Sequence, residues 1–319
     1  MSNNTLYIIV PYFNFVNYKS GIKNLEIFIN NLSTYTNVQM VLVEGYYKDQ
    51  QLPDYSTKIF KHIKLPLKHV LWVKENLINI GFSCLPSDWQ YGSWIDRDVM
   101  FCNPNWALEA VEKLKEYDVI QPWKEFIYLD SNHNYNTVDK IQSPSDHLTA
   151  YSYGYMKESL DKGILAETDR KKYFGNPGQA WAISRRFYEK IGGLYEYNIA
   201  GGGDGVFFNC LKEDKMEDLL TWYWSLNFRF GGQTLVDFHG KCAGAKIGYV
   251  NGLILHYYHG SVERKNYNHR YSVLQDNNYN PIEDITKDSN GVLCFKNENT
   301  KLEIDLLDYL ITRKEDAQN

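Results

Sequence analysis

Hydrophobic positions along the chain change period repeatedly, and the changes predict its elements. "TLYIIVPYFN", residues 5–14, is a continuous apolar run rich in β-branched and aromatic residues, closed by Pro11 and Asn14. Such a run predicts a buried strand that ends in a loop. In "SGIKNLEIFINNLS" the period shifts: Ile22, Leu25, Ile29 and Leu32 fall on one helical face. "VQMVLVEGY" reads as a second strand with Glu44 at its end, and "KHVLWVKENLINIGFSCL" as a strand running into a helix. "YGSWIDRDVMF" reads as one further strand, and "NWALEAVEKLKEYDVIQPW" as a helix followed by a strand. Strands alternating with helices predict a mainly parallel sheet, in which ligands bind beyond the carboxyl ends of the strands. Pro11, Glu44 and Asp96 to Asp98 all fall at such ends.

After about residue 125 the pattern changes. Residues 130–150 are polar and aperiodic and read as an exposed loop. "GNPGQAWAISRRFYEKIGGLYE" predicts a short strand and a helix closed by Gly192 and Gly193. "NIAGGGDGVFFNCL" reads as a glycine cluster opening a helix. "LTWYWSLNFRF" is aromatic and alternates roughly. "GLILHYYHGSVERKNYNHRYSVL" predicts a strand that turns at Gly260 into a basic helix, and the tail a hairpin and the helix "LEIDLLDYLITRKED". No internal repeat or linker interrupts the chain.

Composition narrows the class. A chain of 319 residues can bury roughly three quarters of its unfolded surface and needs no staples. Its net charge of −5 gives no broad basic footprint for nucleic acid. The five cysteines (84, 102, 210, 242 and 294) are scattered and never at CxxC spacing, so neither a zinc site nor a disulfide framework is expected. The opening "MSNNTLYIIVPYFN" lacks a basic segment and a long apolar run. A soluble, cytoplasmic protein without signal peptide or membrane anchor is the expectation. Tyrosine is abundant, at 26 residues, which fits either genome bias or surfaces that stack on sugars.

Four segments carry candidate chemistry. The first is Asp96-Arg97-Asp98, three charges inside an apolar run, which are costly to bury unless paired or metal-bound. Read as strand, it places Asp96 and Asp98 on one face, where a divalent cation would settle their repulsion. The plainer reading is a strand end whose aspartates cap a turn beside Arg97. The second is "KENLINIG", residues 74–81. The third is "AGGGDG", residues 200–205, where three glycines let the backbone approach a ligand and Asp204 begins a helix. There Asp204 is either a cap or a general base. The fourth is "HYYHGSVERK", residues 256–265. On a continuous strand His256 and His259 would lie on opposite faces, so one of them at most joins a metal site. An imidazole added to two carboxylates suits Mn²⁺. Arg264 and Lys265 read either as phosphate contacts or as a solvated helix face.

Taken in order, these segments resemble GT-A-fold glycosyltransferases, most closely the β-1,4-galactosyltransferase-like group. "IIVPYFN" is similar to that group's first strand, "KENLINIGF" to its segment beside nucleotide and sugar, and "WIDRDVMF" to its DxD strand. "GQAWAISRRFYEKIGGLYE" resembles the stretch preceding its acceptor site. "AGGGDGVFFNCL" resembles its Trp-Gly-Gly-Glu-Asp helix start, and "HYYHGSVERKNY" the strand end whose His completes the metal site. The resemblance covers about residues 5–270. It departs at Ala200 to Gly203, where the family's Trp and Glu, which grip sugar and acceptor, are absent.

The resemblance implies an α/β fold of GT-A type. A catalytic domain would span residues 1–270, with a donor half to about 125 and an acceptor half from about 150, followed by an extension over 271–319. It implies an inverting, metal-dependent hexosyltransferase using a nucleotide-diphosphate sugar, a UDP-sugar foremost. Mn²⁺ (or Mg²⁺) would be held by Asp98 and His259 with Asp96 nearby. Donor contacts would come from Pro11, Tyr12, Asn14, Glu44, Lys74, Asn79, Asp96, Arg97, Gly202 and Gly203. Asp204 matches the catalytic base, with Glu44 and Asp237 as poorer candidates. The acceptor would be a glycan, a protein or a modified nucleobase, and the missing secretory anchor points to a bacterial, phage or large-virus source. Alternatives on the same fold are a retaining transferase, a nucleotidyltransferase, or a catalytically dead carbohydrate-binding scaffold.

Overall fold

A computed structural model of the chain describes residues 4–129, 150–164, 175–212, 232–260, 265, 267, 269–298 and 300–317. The expected loop over 130–150 (save Ala150) and the aromatic stretch 220–230 lie outside these residues. The strands are β1 (Leu6–Phe13), β2 (Val38–Tyr47), β3 (Lys61–Leu67), β4 (Tyr91–Ile95), β5 (Val99–Phe101), β6 (Val119–Gln121) and β7 (Glu125–Tyr128). They continue with β8 (Ala150–Tyr151), β9 (Ala180–Ser184), β10 (Ile247–Tyr249), β11 (Leu253–His256), β12 (Ile285–Lys287) and β13 (Leu293–Phe295). The helices are α1 (Lys19–Leu32), α2 (Lys74–Ser83), α3 (Trp106–Leu114), α4 (Tyr153–Asp161) and α5 (Arg185–Ile191). After them come α6 (Gly203–Leu211), α7 (Gly232–Cys242), α8 (His269–Asp276), α9 (Pro281–Asp284) and α10 (Thr300–Thr312).

The architecture is mixed α/β: a large, mainly parallel sheet flanked by helices. Its strand order is β10-β6-β9-β4-β1-β2-β3, and β9 alone runs against its neighbours. Period-2 alternation along β1 sorts its side chains to two cores. Tyr7 and Ile9 join Val41, Leu77 and Phe82 on one face; Leu6, Ile8 and Val10 join Leu25, Phe28 and Trp106 on the other. Burial on both faces is why β1 reads as an unbroken apolar run. A second sheet, β5-β11-β7-β8, stands beside the first, and β12-β13 form a hairpin.

Three predicted elements differ. The strand expected at 68–73 is instead β3, one step earlier, and Lys68–Val73 is an irregular lead into α2. Glu44 lies inside β2 rather than at its end. The strand expected over 91–101 is two strands in two sheets, β4 and β5, with Asp96 to Asp98 as the turn between them. The C-terminal residues are not peripheral: Leu302, Leu306 and Tyr309 of α10 are buried in the same core as α2 and α6. Among the described residues no helix is long and apolar enough to cross a membrane.

Candidate functional site

A cleft of about 420 Å³ opens where β1, β4 and β11 end. Parallel strands bring their carboxyl ends to one edge, so Phe13 at the end of β1, Asn14 after it and Asp96 after β4 arrive together. Antiparallel β9 begins at the same edge, and the Asp96 amide donates to the Gln179 carbonyl at 2.8 Å.

Because the chain changes sheets between Ile95 and Val99, the two aspartates meet different partners. Asp96 Oδ1 lies 2.7 Å from Lys74 Nζ, and the same ammonium lies 2.8 Å from Asp204 Oδ2. Lys74 is the first residue of α2, and Asp204 sits in the first turn of α6. The α6 start packs tightly. Gly202 has φ +95°, and a Cβ there would lie 2.4 Å from the Tyr271 hydroxyl oxygen; one on Gly203 would lie 2.1 Å from the Glu75 carboxylate. These glycines therefore set backbone shape against Tyr271 and Glu75. Burial pushes the Asp96 carboxyl up to about 6, with the Asp204 and Asp98 charges adding to the shift and Lys74 opposing it. Burial alone would lower the Lys74 ammonium, but Asp204 and Asp96 outweigh it and hold the group above its ordinary value.

Asp98 turns the other way. It immediately precedes β5, which pairs antiparallel with β11 so that Val99 faces His256, and the Tyr257 amide donates to the Asp98 carbonyl at 2.6 Å. β11 stops at His256, and the chain then bends through Gly260, at φ +89°. The bend returns His259 to the same carboxylate. His256 Nε2 is 3.7 Å from Asp98 Oδ1, His259 Nε2 is 3.0 Å from Asp98 Oδ2, and the two rings are 5.0 Å apart. The expectation that the two histidines face apart fails because it assumed a strand running on to residue 259.

One donor atom from each of Asp98, His256 and His259 lies within 4.8 Å of the others, the one such group among the described residues. Asp98 Oδ1, His256 Nδ1 and His259 Nδ1 are buried with no hydrogen-bond partner among those residues. A carboxylate with an unpartnered oxygen and two imidazoles beside it fit a borderline divalent ion such as Mn²⁺. Burial lowers His256 to about 3, so it is the neutral imidazole that a metal requires. Burial alone would raise Asp98, but His256 and His259 outweigh it and hold the carboxyl well below the usual range.

Of the residues singled out from sequence, Pro11, Asn14, Lys74, Asp96, Arg97, Asp98, Gly202, Asp204 and His259 line the cleft. Tyr12, Glu44, Asn79 and Gly203 do not. The Tyr12 ring is buried in the core beneath Arg97, 5.3 Å from the guanidinium. Glu44 is fully buried, accepts from the Leu52 amide at 2.6 Å and pairs with His62 at 2.9 Å. Asn79 ties α2 to the stretch after α5 by accepting from the Leu194 amide and donating to its carbonyl. Asp237 is an exposed α7 residue bonded to Gln233.

Sequence reasoning passed over His256 as a partner of His259, as well as Arg270, Arg313 and Glu315, all of which line the cleft. Lys265, left open between two readings, is buried with Nζ 3.0 Å from His259 Nε2. The tail gave one local signal, the charge run "RKED", which reads equally well as a solvated helix end.

No family model matches the chain in sequence, and no curated protein does either. In structure it is similar to the catalytic domain of Drosophila beta1,4-galactosyltransferase 7 in complex with xylobiose, at 11% identity and a TM-score of 0.34. That match covers 77% of this chain, which spans 64% of the length of the galactosyltransferase chain. Glucosyl-3-phosphoglycerate synthase from Mycobacterium tuberculosis, in complex with Mg²⁺ and UDP, is 10% identical over 85% of this chain and 77% of its own, with a TM-score of 0.39. The chain is also similar to a mannosyltransferase from Pyrobaculum calidifontis in complex with GDP-Man and Mn²⁺, at 10% identity over 96% of this chain and 69% of that one, with a TM-score of 0.44.

Proposed function

We propose that the chain is a metal-dependent glycosyltransferase of GT-A type. It would move a hexose from a nucleotide-diphosphate sugar, a UDP-sugar foremost, to a hydroxyl acceptor with inversion. The observation that carries this reading is one cleft at the strand ends that holds two unlike charge sets, Asp98 with His256 and His259, and Lys74 with Asp96 and Asp204. Asp98, His256 and His259 would hold Mn²⁺ (or Mg²⁺), with Asp96 at the rim of that site. Bound there, the ion supplies Lewis-acid neutralisation of the charge on the departing diphosphate, an effect worth several kcal/mol.

This chain's own groups do the rest. The backbone from Pro11 to Asn14 offers a shelf for the nucleotide, and Asn14 is fixed by accepting from the Tyr18 amide at 2.9 Å. Arg97 and Arg270 bring permanent positive charge to the same cleft, suited to phosphate oxygens. Lys74 binds Oδ2 of Asp204 and leaves Oδ1 to accept the acceptor's hydroxyl proton as that oxygen attacks the anomeric carbon. A glycan, a protein side chain or a modified nucleobase satisfies this chemistry as acceptor.

The test is a thermal-shift screen of nucleotide sugars with and without Mn²⁺. A cognate donor at 100 times its Kd should add about 2.7 kcal/mol of stability in the presence of metal. If no nucleotide sugar stabilises the protein under either condition, the donor site is wrong. The anomeric configuration of the product then separates inversion from retention.

A further inference from the structure

The residues around His259 extend beyond the metal-binding cluster into the C-terminal tail. Nε2 of His259 faces Asp98 Oδ2 and the Lys265 ammonium, each 3.0 Å away, so an ion bound there would displace Lys265 from that nitrogen. Nδ1 points the opposite way, is buried, and has no hydrogen-bond partner among the described residues. The carboxylate nearest to it is Glu315, whose Oε2 lies 3.6 Å away, just beyond hydrogen-bond reach. A neutral imidazole that offers Nε2 to an ion carries its proton on Nδ1, and that proton needs an acceptor.

Glu315 is held for the task. It is buried, and its other oxygen, Oε1, accepts from Arg313 Nε at 2.8 Å and lies 2.7 Å from Arg313 Nη2. Oε2 is thereby left toward His259. The Arg313 guanidinium in turn rests 5.2 Å from the Trp72 ring centre. The backbone carrying the pair is strapped across the cleft at both ends. Tyr18 donates to the Leu310 and Ile311 carbonyls, and Asp316 accepts from the Lys19 and Ser20 amides at the start of α1, each at 2.8 Å. Tyr258, next to His259, donates to the Ala317 carbonyl. At Gly260 a Cβ would lie 3.1 Å from the Glu315 Cα, so the turn bearing His259 and the tail are in direct contact.

We infer that Glu315 is a positioning residue for the metal site: it accepts the Nδ1 proton of His259 and fixes that ring's tautomer and angle toward the ion. This assignment rests on the proposed metal site, and it makes residues 313–317 part of that site. An outer carboxylate of this kind raises the basicity of its imidazole, and its loss typically lowers metal affinity by about 10- to 100-fold.

The experiment is calorimetric titration of Mn²⁺ alone into the full chain, with thermal unfolding of each metal-free protein alongside. Glu315→Ala should weaken Mn²⁺ binding by roughly 10-fold or more, and Glu315→Gln, which keeps the shape but accepts more weakly, by less. A merely structural role would lower the metal-free melting temperature and leave Mn²⁺ affinity alone. Wild-type Mn²⁺ affinity in Glu315→Ala overturns the inference and leaves the metal site standing. Should that variant fail to fold, unchanged affinity in Glu315→Gln overturns it equally. If the wild-type chain binds no Mn²⁺, the metal site falls and this inference with it.

Discussion

The two halves of the cleft solve the same electrostatic problem with different materials. At one corner, Lys74 lies between Asp96 and Asp204 at 2.7 and 2.8 Å, and the protein supplies its own cation. At the other, Asp98 faces two imidazoles, one of them held neutral by burial, and its Oδ1 has no hydrogen-bond partner among the described residues. The first corner carries its own counter-charge, and the second is the one that would take an ion under the proposed function. Asp96 and Asp98 are two residues apart, yet they belong to different corners because the chain crosses from one sheet to the other between them. A D-x-D spacing therefore does not by itself make a shared chelate. What each carboxylate does depends on the strand that its neighbours join.

The sharpest way to break this comparison is to treat the two aspartates alike. Asp98→Ala should lower Mn²⁺ affinity by more than the roughly 10- to 100-fold that loss of an outer partner costs, and abolish metal-dependent nucleotide binding. Asp96→Ala should leave Mn²⁺ affinity nearly unchanged. Calorimetric titration of both variants decides it. Equal losses would mean that the two carboxylates share one ion and that the Lys74 pairing is secondary.

At the lysine corner the expected effect is on rate. Asp204→Asn keeps the shape of the side chain but cannot take a full proton, so kcat should fall by about 10²- to 10⁴-fold while donor Kd holds. The same change removes a charge from the first turn of α6, which costs only about 0.3–1 kcal/mol if Asp204 merely favours its helix. Single-turnover kinetics beside donor titration separates the two roles. A rate close to wild type would leave Asp204 as a helix-start residue.

The comparison also shows where sequence stops informing. β1 was legible as an unbroken apolar run, and α1, α3, α5 and α6 because their buried positions recur at helical spacing. β3 was not: "KHIKLPL" mixes charge with apolar residues, as a strand at the sheet edge does. The break between β4 and β5 was marked by Asp96 to Asp98 and was one of two readings of them, but that β5 joins another sheet was not legible, since periodicity does not record which sheet a strand joins. His256 was separated from His259 by assuming a strand through both, when β11 stops at the first. Asp98, Asp204, Lys74 and His259 stood out as charges in apolar or glycine-rich settings. Arg313 and Glu315 did not, because the residues they contact, Trp72 and His259, lie far off in the chain. Local sequence carries no record of such a contact.

The most gradual expected effect is also the most direct probe of how many carboxylates Lys74 can serve. Glu75 is buried behind Gly203, and burial, then the Asp204 charge, raises its carboxyl from an ordinary 4.5 to about 8 despite Lys74 beside it. Below about pH 4.5 both the folded and the unfolded chain hold this proton. Between there and about pH 8 the folded chain keeps it while the unfolded chain releases it, so this group's contribution to stability falls as pH rises. The slope is at most about 1.4 kcal/mol per pH unit. Above about 8 the folded carboxyl ionises too, and the contribution levels off. Glu75→Gln has no proton to release and removes the dependence. Its stability relative to wild type, from denaturant midpoints across this range, should therefore increase steadily from mildly acidic to mildly alkaline pH. A difference that stays flat would mean that Glu75 is ionised in the folded protein. Lys74 would then be shared among three carboxylates rather than two, and the lysine corner would carry uncompensated negative charge of its own.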